Sequence, residues 1–174
     1  MFTDDQGNAS LEMACGLAGE IVRTFGEVRL RVFGTSMVPS IHPGDLLTIQ
    51  RAGLSEISSG EVVLFLQKGR LFVHRVVDRK VAVTAAGLGG ACLITRGDRL
   101  RHDDPPVFSP ALLGRVVSIE RDNRKVELPS HRSNRLFVRL LQTSDRATYL
   151  YLRLAACWRT SFITDFLGGG NCRV

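Results

Sequence analysis

The sequence predicts a mainly β fold with one helix before the strands and a helical appendage after them. Three observations predict it. Between Val28 and Glu120, short apolar and alternating runs are separated by Gly, Pro and Asp clusters. Ahead of these runs, helical spacing is confined to Ser10–Phe25. Past Pro129 the chain turns basic and helical spacing returns. The expected organisation is an N-terminal helix in residues 1–27, a β domain in 28–128 and a basic, partly helical appendage in 129–174.

Ser10 suits a helix N-cap, and Leu11, Cys15, Ala18, Ile21, Val22 and Phe25 recur on one face, with Glu12, Glu20 and Arg23 on the other. Val28, Leu30 and Val32 alternate with Arg29 and Arg31, which marks a half-buried strand. Further strands are expected over residues 46–50, 62–67, 71–78, 80–85, 92–96 and 114–120. The separators are His42-Pro43-Gly44-Asp45, Ser58-Ser59-Gly60 and Lys68-Gly69, the last short enough for a hairpin. Many short strands at this spacing form a β-barrel or a folded sheet. In the appendage, Leu136, Phe137, Leu140 and Leu141 make a stripe beside Arg135 and Arg139. A second stripe, Leu150, Leu154, Cys157 and Trp158, lies beside Arg146, Arg153 and Arg159, and Gly168-Gly169-Gly170 ends any helix.

Composition narrows the function classes. The 174 residues suit one ordinary domain with an appendage, and 44% hydrophobic with 23% charged residues exclude a disordered or low-complexity chain. The net charge of +6 is uneven: residues 115–174 hold 11 basic and 5 acidic residues, and the rest balance. No run is long and apolar enough for a spanning helix, and the start, with Asp4 and Asp5, lacks a secretory pattern. A cytoplasmic or peripherally membrane-associated location is expected. Cys15, Cys92, Cys157 and Cys172 form no Cys-x-x-Cys pair and no zinc-ligand spacing, so free thiols are expected, with no metal and no cofactor.

Three short segments carry candidate chemistry. Ser36 stands in Gly34-Thr35-Ser36-Met37-Val38-Pro39, where a strand end meets a proline turn, followed by Gly44-Asp45. His74 interrupts the apolar strand Val73-His74-Arg75-Val76-Val77. Asp98, Asp103 and Asp104 fall within seven residues after a strand. Singly, these read as a loop serine, a structural histidine and turn-forming aspartates.

Together and in this order they resemble the signal peptidase I family and the wider group it shares with self-cleaving repressor proteases. The resemblance rests on Ser36-Met37-Val38-Pro39, Gly44-Asp45, His74-Arg75 and Gly97-Asp98. It covers roughly residues 30–120 and implies the β-barrel of that group. Most bacterial members use Lys where His74 stands, so the sequence is most similar to the endoplasmic-reticulum and archaeal type with a Ser-His pair. Arg96-Gly97-Asp98 with Asp103-Asp104 matches that type's spacing, and Leu113-Gly114-Arg115-Val116 resembles its closing strand. Two features depart from it: Arg99 stands where Asn is usual, and the N-terminal helix is too short and polar for a membrane anchor.

A serine hydroxyl needs a base within hydrogen-bond reach, and histidine, with an ordinary pKa of about 6.5, accepts a proton near neutrality. The base in turn benefits from a carboxylate that fixes its tautomer. The resemblance implies Ser36 as nucleophile and His74 as base. By family spacing Asp104 is the first choice as orienting carboxylate, and Asp98 the second, or a brace for its loop. The backbone N–H of Ser36, with Thr35 or Gly34 beside it, is a candidate oxyanion donor, and Met37 and Pro39 are expected wall and turn residues.

The expected function is therefore a serine endopeptidase that cleaves a leader, signal or propeptide from a peptide or preprotein substrate. The alternative is a non-catalytic binding or regulatory module on a peptidase-like fold. The basic appendage has three readings: a cap on the barrel, an interfacial segment on anionic lipid with Trp158, Phe162 and Phe166 dipping in, and a nucleic-acid contact. The last is the least favoured, because no helix-turn-helix pattern is visible.

Overall fold

The computed structural model describes residues 4–83, 89–128 and 148–155. The chain divides into two units, Met1–Asn134 and Arg135–Val174. The first unit opens with helix α1 (Asp4–Phe25) and continues as eight strands. These are β1 (Glu27–Arg31), β2 (Leu46–Arg51), β3 (Val62–Gln67), β4 (Arg70–Val83), β5 (Gly89–Arg96), β6 (Val107–Phe108), β7 (Leu112–Arg121) and β8 (Arg124–Val126). They pair antiparallel in the order β1-β2-β7-β3-β4-β5-β6, with β8 beside β7. The mainly β architecture with an N-terminal helix is the expected one. Among the described residues the strand path stays open from β1 to β6, so the sheet folds without closing into a barrel.

Helix α1 begins at Asp4, and Ser10 therefore lies inside it and does not cap it. The helix ends where the Gly26 N–H bonds the Val22 carbonyl at 2.9 Å with Gly26 at φ +77°, a left-handed stop that glycine adopts without strain. Val22 is fully buried, whereas Phe25, expected on the buried face, is 77% exposed at the helix end.

Strand β3 shows why the fold has two cores. Its sequence, Val62-Val63-Leu64-Phe65, is apolar at every position, and strand side chains alternate between faces. Val62 and Leu64 join a core with Val22, Ile41, Leu47, Ile49, Leu113 and Ile119. Val63 and Phe65 join a second core with Ile57, Val76, Leu93 and Val107. The β3–β4 hairpin turns at Lys68-Gly69 as expected, both with positive φ, which suits the twist of a two-residue hairpin.

Two expected strands, residues 71–78 and 80–85, are one. β4 runs through Asp78-Arg79-Lys80 because the ladder with β5 absorbs an extra residue between Val76 and Asp78 as a bulge. The last two residues of the second expected strand, Thr84 and Ala85, lie outside the described residues. Strands β6 and β8 are two and three residues long, too short for a periodic signal. β8 does have a turn signal, Asp122-Asn123, both at positive φ.

In the second unit, residues 148–155 are helical, with Leu150 and Leu154 exposed and the Arg153 guanidinium over the Tyr149 ring. The expected stripe at residues 136–141, and Cys157, Trp158, Phe162 and Phe166, lie outside the described residues. No described helix is long and apolar enough to cross a membrane. Cys92 is a buried free thiol.

Candidate active site

The alternation of β4 sorts its side chains into two polar networks. Phe72 and Val76 pack with the second core and Leu71 and Val73 with the first, so His74 and Arg75 leave the strand on opposite faces. His74 sits beside the rings of Phe65 and Phe72, with centroids 6.0 and 5.8 Å away. It is 3% exposed.

His74 bridges two polar side chains. Its Nε2 lies 3.0 Å from Ser36 Oγ, and its Nδ1 lies 2.6 Å from Asp104 Oδ2. The Thr95 hydroxyl donates to the same Asp104 oxygen at 2.7 Å. Asp104 is brought back to the strand because its N–H bonds the Thr95 carbonyl at 2.8 Å, closing the loop that left β5 at Gly97. The Asp104 carboxylate thus faces a ring nitrogen and a hydroxyl, and its side chain is 15% exposed.

Asp98 belongs to the other face. Arg75 donates to it twice, from Nε and from Nη2, both at 2.8 Å, and the Ser40 hydroxyl donates to it as well. Arg75 Nη1 reaches the Gly60 carbonyl at 2.9 Å. This fork-on-carboxylate pair is buried, the two side chains being 4% and 9% exposed. Asp98 therefore braces its loop against Arg75 and Ser40, whereas Asp104 meets His74, which separates the two carboxylates that the spacing left open. Asp103 is exposed and pairs with Arg96 at 3.3 Å.

The turn carrying Ser36 is held from both sides. Behind it, the Ile41 N–H bonds the Met37 carbonyl at 3.0 Å. Asp45 accepts the His42 N–H at 2.8 Å and takes a two-pronged contact from Arg121. Facing it, the Arg99 N–H bonds the Ser36 carbonyl at 2.9 Å. Gly97 lies so close that an added Cβ would stand 2.7 Å from the Ser36 carbonyl oxygen. Only glycine permits that approach.

Of the candidate wall residues, Met37 needs correction. It is 2% exposed and packs in the first core with Ile41 and Val62, because the turn directs it inward. It is a core residue and lines no accessible wall. Pro39 is half-buried after a cis Val38–Pro39 peptide. Gly34 is exposed, and the half-buried Thr35 meets Arg99 Nη2 through its hydroxyl. Sequence reasoning missed Thr95, Ser40 and Arg121. Thr95 was signalled only by standing immediately before Arg96-Gly97-Asp98 on a strand.

Residues 4–84 match the Peptidase S24-like family. The match takes in Ser36 and His74, covers just under half of the chain and ends before Asp98 and Asp104. With the antiparallel sheet, it supports a peptidase-like fold of this kind. No curated protein matches the chain.

Proposed function

We propose that this chain is a serine endopeptidase of the Ser-His type that removes a leader, signal or propeptide from a peptide or preprotein substrate. The observation that carries the reading is the continuous hydrogen-bonded path from Asp104 through His74 to Ser36. Ser36 Oγ attacks the scissile carbonyl carbon while its proton passes to His74 Nε2. The carbonyl π pair becomes an oxyanion, for which the Ser36 N–H is a donor. Collapse breaks the C–N bond, and the leaving amine takes the proton from His74. Water, deprotonated by His74, then attacks the acyl carbon, the bond from that carbon to Ser36 Oγ breaks, and Ser36 takes the proton back from His74. Asp104 holds the Nδ1–H of His74, so that Nε2 is the acceptor, and stabilises the imidazolium; Thr95 in turn orients Asp104.

The test is a diverse peptide library digested by wild type and by Ser36→Ala and read by mass spectrometry. Cuts are expected from wild type alone, and the residues flanking them give the specificity. Identical cuts from both proteins would remove Ser36 from the role, and no cuts from either would favour the non-catalytic regulatory module. Anionic liposomes in a parallel arm test the basic appendage, whose exposed Leu150 and Leu154 beside Arg153 suit a lipid surface. Faster cleavage in that arm supports peripheral membrane contact, and an equal rate argues against it.

Gly97→Ala gives a second, narrower expectation. The methyl group forces the Ser36 carbonyl or the 97–104 loop to shift by tenths of an ångström to an ångström. Misplacement on that scale costs on the order of 100-fold in rate. The variant should stay folded by circular dichroism and cleave on the order of 100-fold more slowly; an unchanged rate would show that this close approach does not set the position of Ser36.

A further inference from the structure

We propose that the cleft between the end of α1, the end of β2 and the β6–β7 turn binds a small aliphatic carboxylate, held by Arg51. The cleft has a volume of about 790 Å³ and lies within the first unit. Pockets of that size accommodate small organic ligands. Its lining includes none of Ser36, His74 and Asp104. Arg51 ends β2, and the turn carrying Ser36 precedes Leu46, the first residue of that strand. The ends of β2 are roughly 17 Å apart at ordinary strand rise, so the cleft is a second site. It stands whether or not Ser36 is a nucleophile.

The cleft joins buried apolar residues to exposed polar ones. Ala52, Leu112 and Leu113 are buried, the first two in the second core and Leu113 in the first. Gln50, Arg51 and Ser109 are exposed in the same lining. The two arginines of the lining differ. Arg23 Nη1 pairs with Glu20 at 2.7 Å, and its Nη2 donates to the Pro110 carbonyl at 3.1 Å. Arg51 Nη1 donates to the Arg23 carbonyl at 3.0 Å, and Arg51 meets no carboxylate among the described residues. The Glu56 carboxylate, also in the lining, accepts the Gly53 N–H at 2.6 Å. A guanidinium has five N–H groups, of which the Arg23 carbonyl takes one. Arg51 is thus an oriented cation without an ion pair, at the edge of an apolar surface. A carboxylate matches the guanidinium fork, and an aliphatic chain covers Ala52, Leu112 and Leu113. Glu56 in the same lining disfavours a second negative charge on the ligand, so a carboxylate fits better than a dianionic phosphate.

The test is a titration of the full chain with octanoate, followed by amide NMR shifts. Shifts are expected at Gly26, Gly53 and Ser109, which lie in the lining. Hexanoate should bind about 15-fold more weakly, at about fourfold for each buried methylene lost. Octanol, which lacks the charge, and octyl phosphate, which carries a second one, should each bind about 10-fold more weakly or worse. Arg51→Gln should weaken octanoate about 10-fold or more, the effect of losing a charge-assisted pair. Ser109→Trp, which fills the cleft from its exposed side and leaves Arg51 in place, should abolish binding. Circular dichroism checks the fold of both variants.

If Arg51→Gln fails to fold, Ser109→Trp decides alone. Absence of octanoate shifts in the wild-type chain overturns the site. So do shifts confined to residues 129–174, which would place the ligand on the basic appendage, and unchanged octanoate affinity in the folded variants. Tighter binding of octyl phosphate than of octanoate overturns the assignment to a carboxylate. Each of these results leaves the peptidase reading untouched, because the titration does not involve Ser36.

Discussion

Ser36→Ala and His74→Ala are each expected to lower the cleavage rate about a million-fold, with the fold intact, and Asp104→Asn about ten-thousand-fold. The first two remove the proposed nucleophile and the proposed base, which in that reading act as one unit. The double variant should therefore be no slower than either single one. Asp104→Asn acts differently. The carboxylate accepts from His74 Nδ1 and from Thr95, whereas an amide can donate toward Nδ1. That favours the tautomer with its proton on Nε2, which points at Ser36 and cannot accept a second one. Single-turnover rates on one library-derived peptide, alongside circular dichroism, check all four variants. Additive losses from Ser36→Ala and His74→Ala would contradict a coupled pair, and an Asp104→Asn rate within tenfold of wild type would remove Asp104 from the orienting role.

The second large effect is on stability. Asp98→Ala should destabilise the first unit by about 3–5 kcal/mol, because it leaves the Arg75 guanidinium buried without its counter-charge. The remaining contacts of Arg75, to Gly60 and Ser40, are neutral. For a protein of this size such a loss lowers the melting temperature by roughly 10 °C or more. The double variant Arg75→Met/Asp98→Leu should melt well above Asp98→Ala, since it removes both charges and their desolvation cost together. Thermal melts of the three proteins decide it. If the double variant melts lowest, the pair is stabilising in itself, beyond mutual compensation of two buried charges.

Much of the strand layout was legible in the sequence. Alternation located β1, and short apolar runs bounded by Gly, Pro, Ser and Asp clusters pointed to β2, β3, β5 and β7. The Lys68-Gly69 turn announced its hairpin because two adjacent positive-φ residues suit that turn. The β4 break was misread at Asp78 and Lys80. A bulge let the strand carry charged residues on its exposed portion, and the Asp78 side chain accepts the neighbouring Arg79 N–H at 2.8 Å. Met37 was misread for a similar reason. Its neighbours are turn residues, and nothing local shows that the turn folds its side chain into the core.

By itself, the sequence determined which residue types were available for the site: a serine at a strand-to-turn junction, a histidine within an apolar strand and three aspartates in a loop. Only the tertiary structure decided among the aspartates. Asp98 and Asp104 are chemically identical and six residues apart, so no local property separates them. The β4 pleat sends His74 and Arg75 to opposite faces, and the 97–104 loop closes back on Thr95. Those two long-range facts put Asp104 against the imidazole and Asp98 against the guanidinium. Hydrogen-bond partners across 30 and 23 residues are set by register and loop closure, which a linear pattern does not contain.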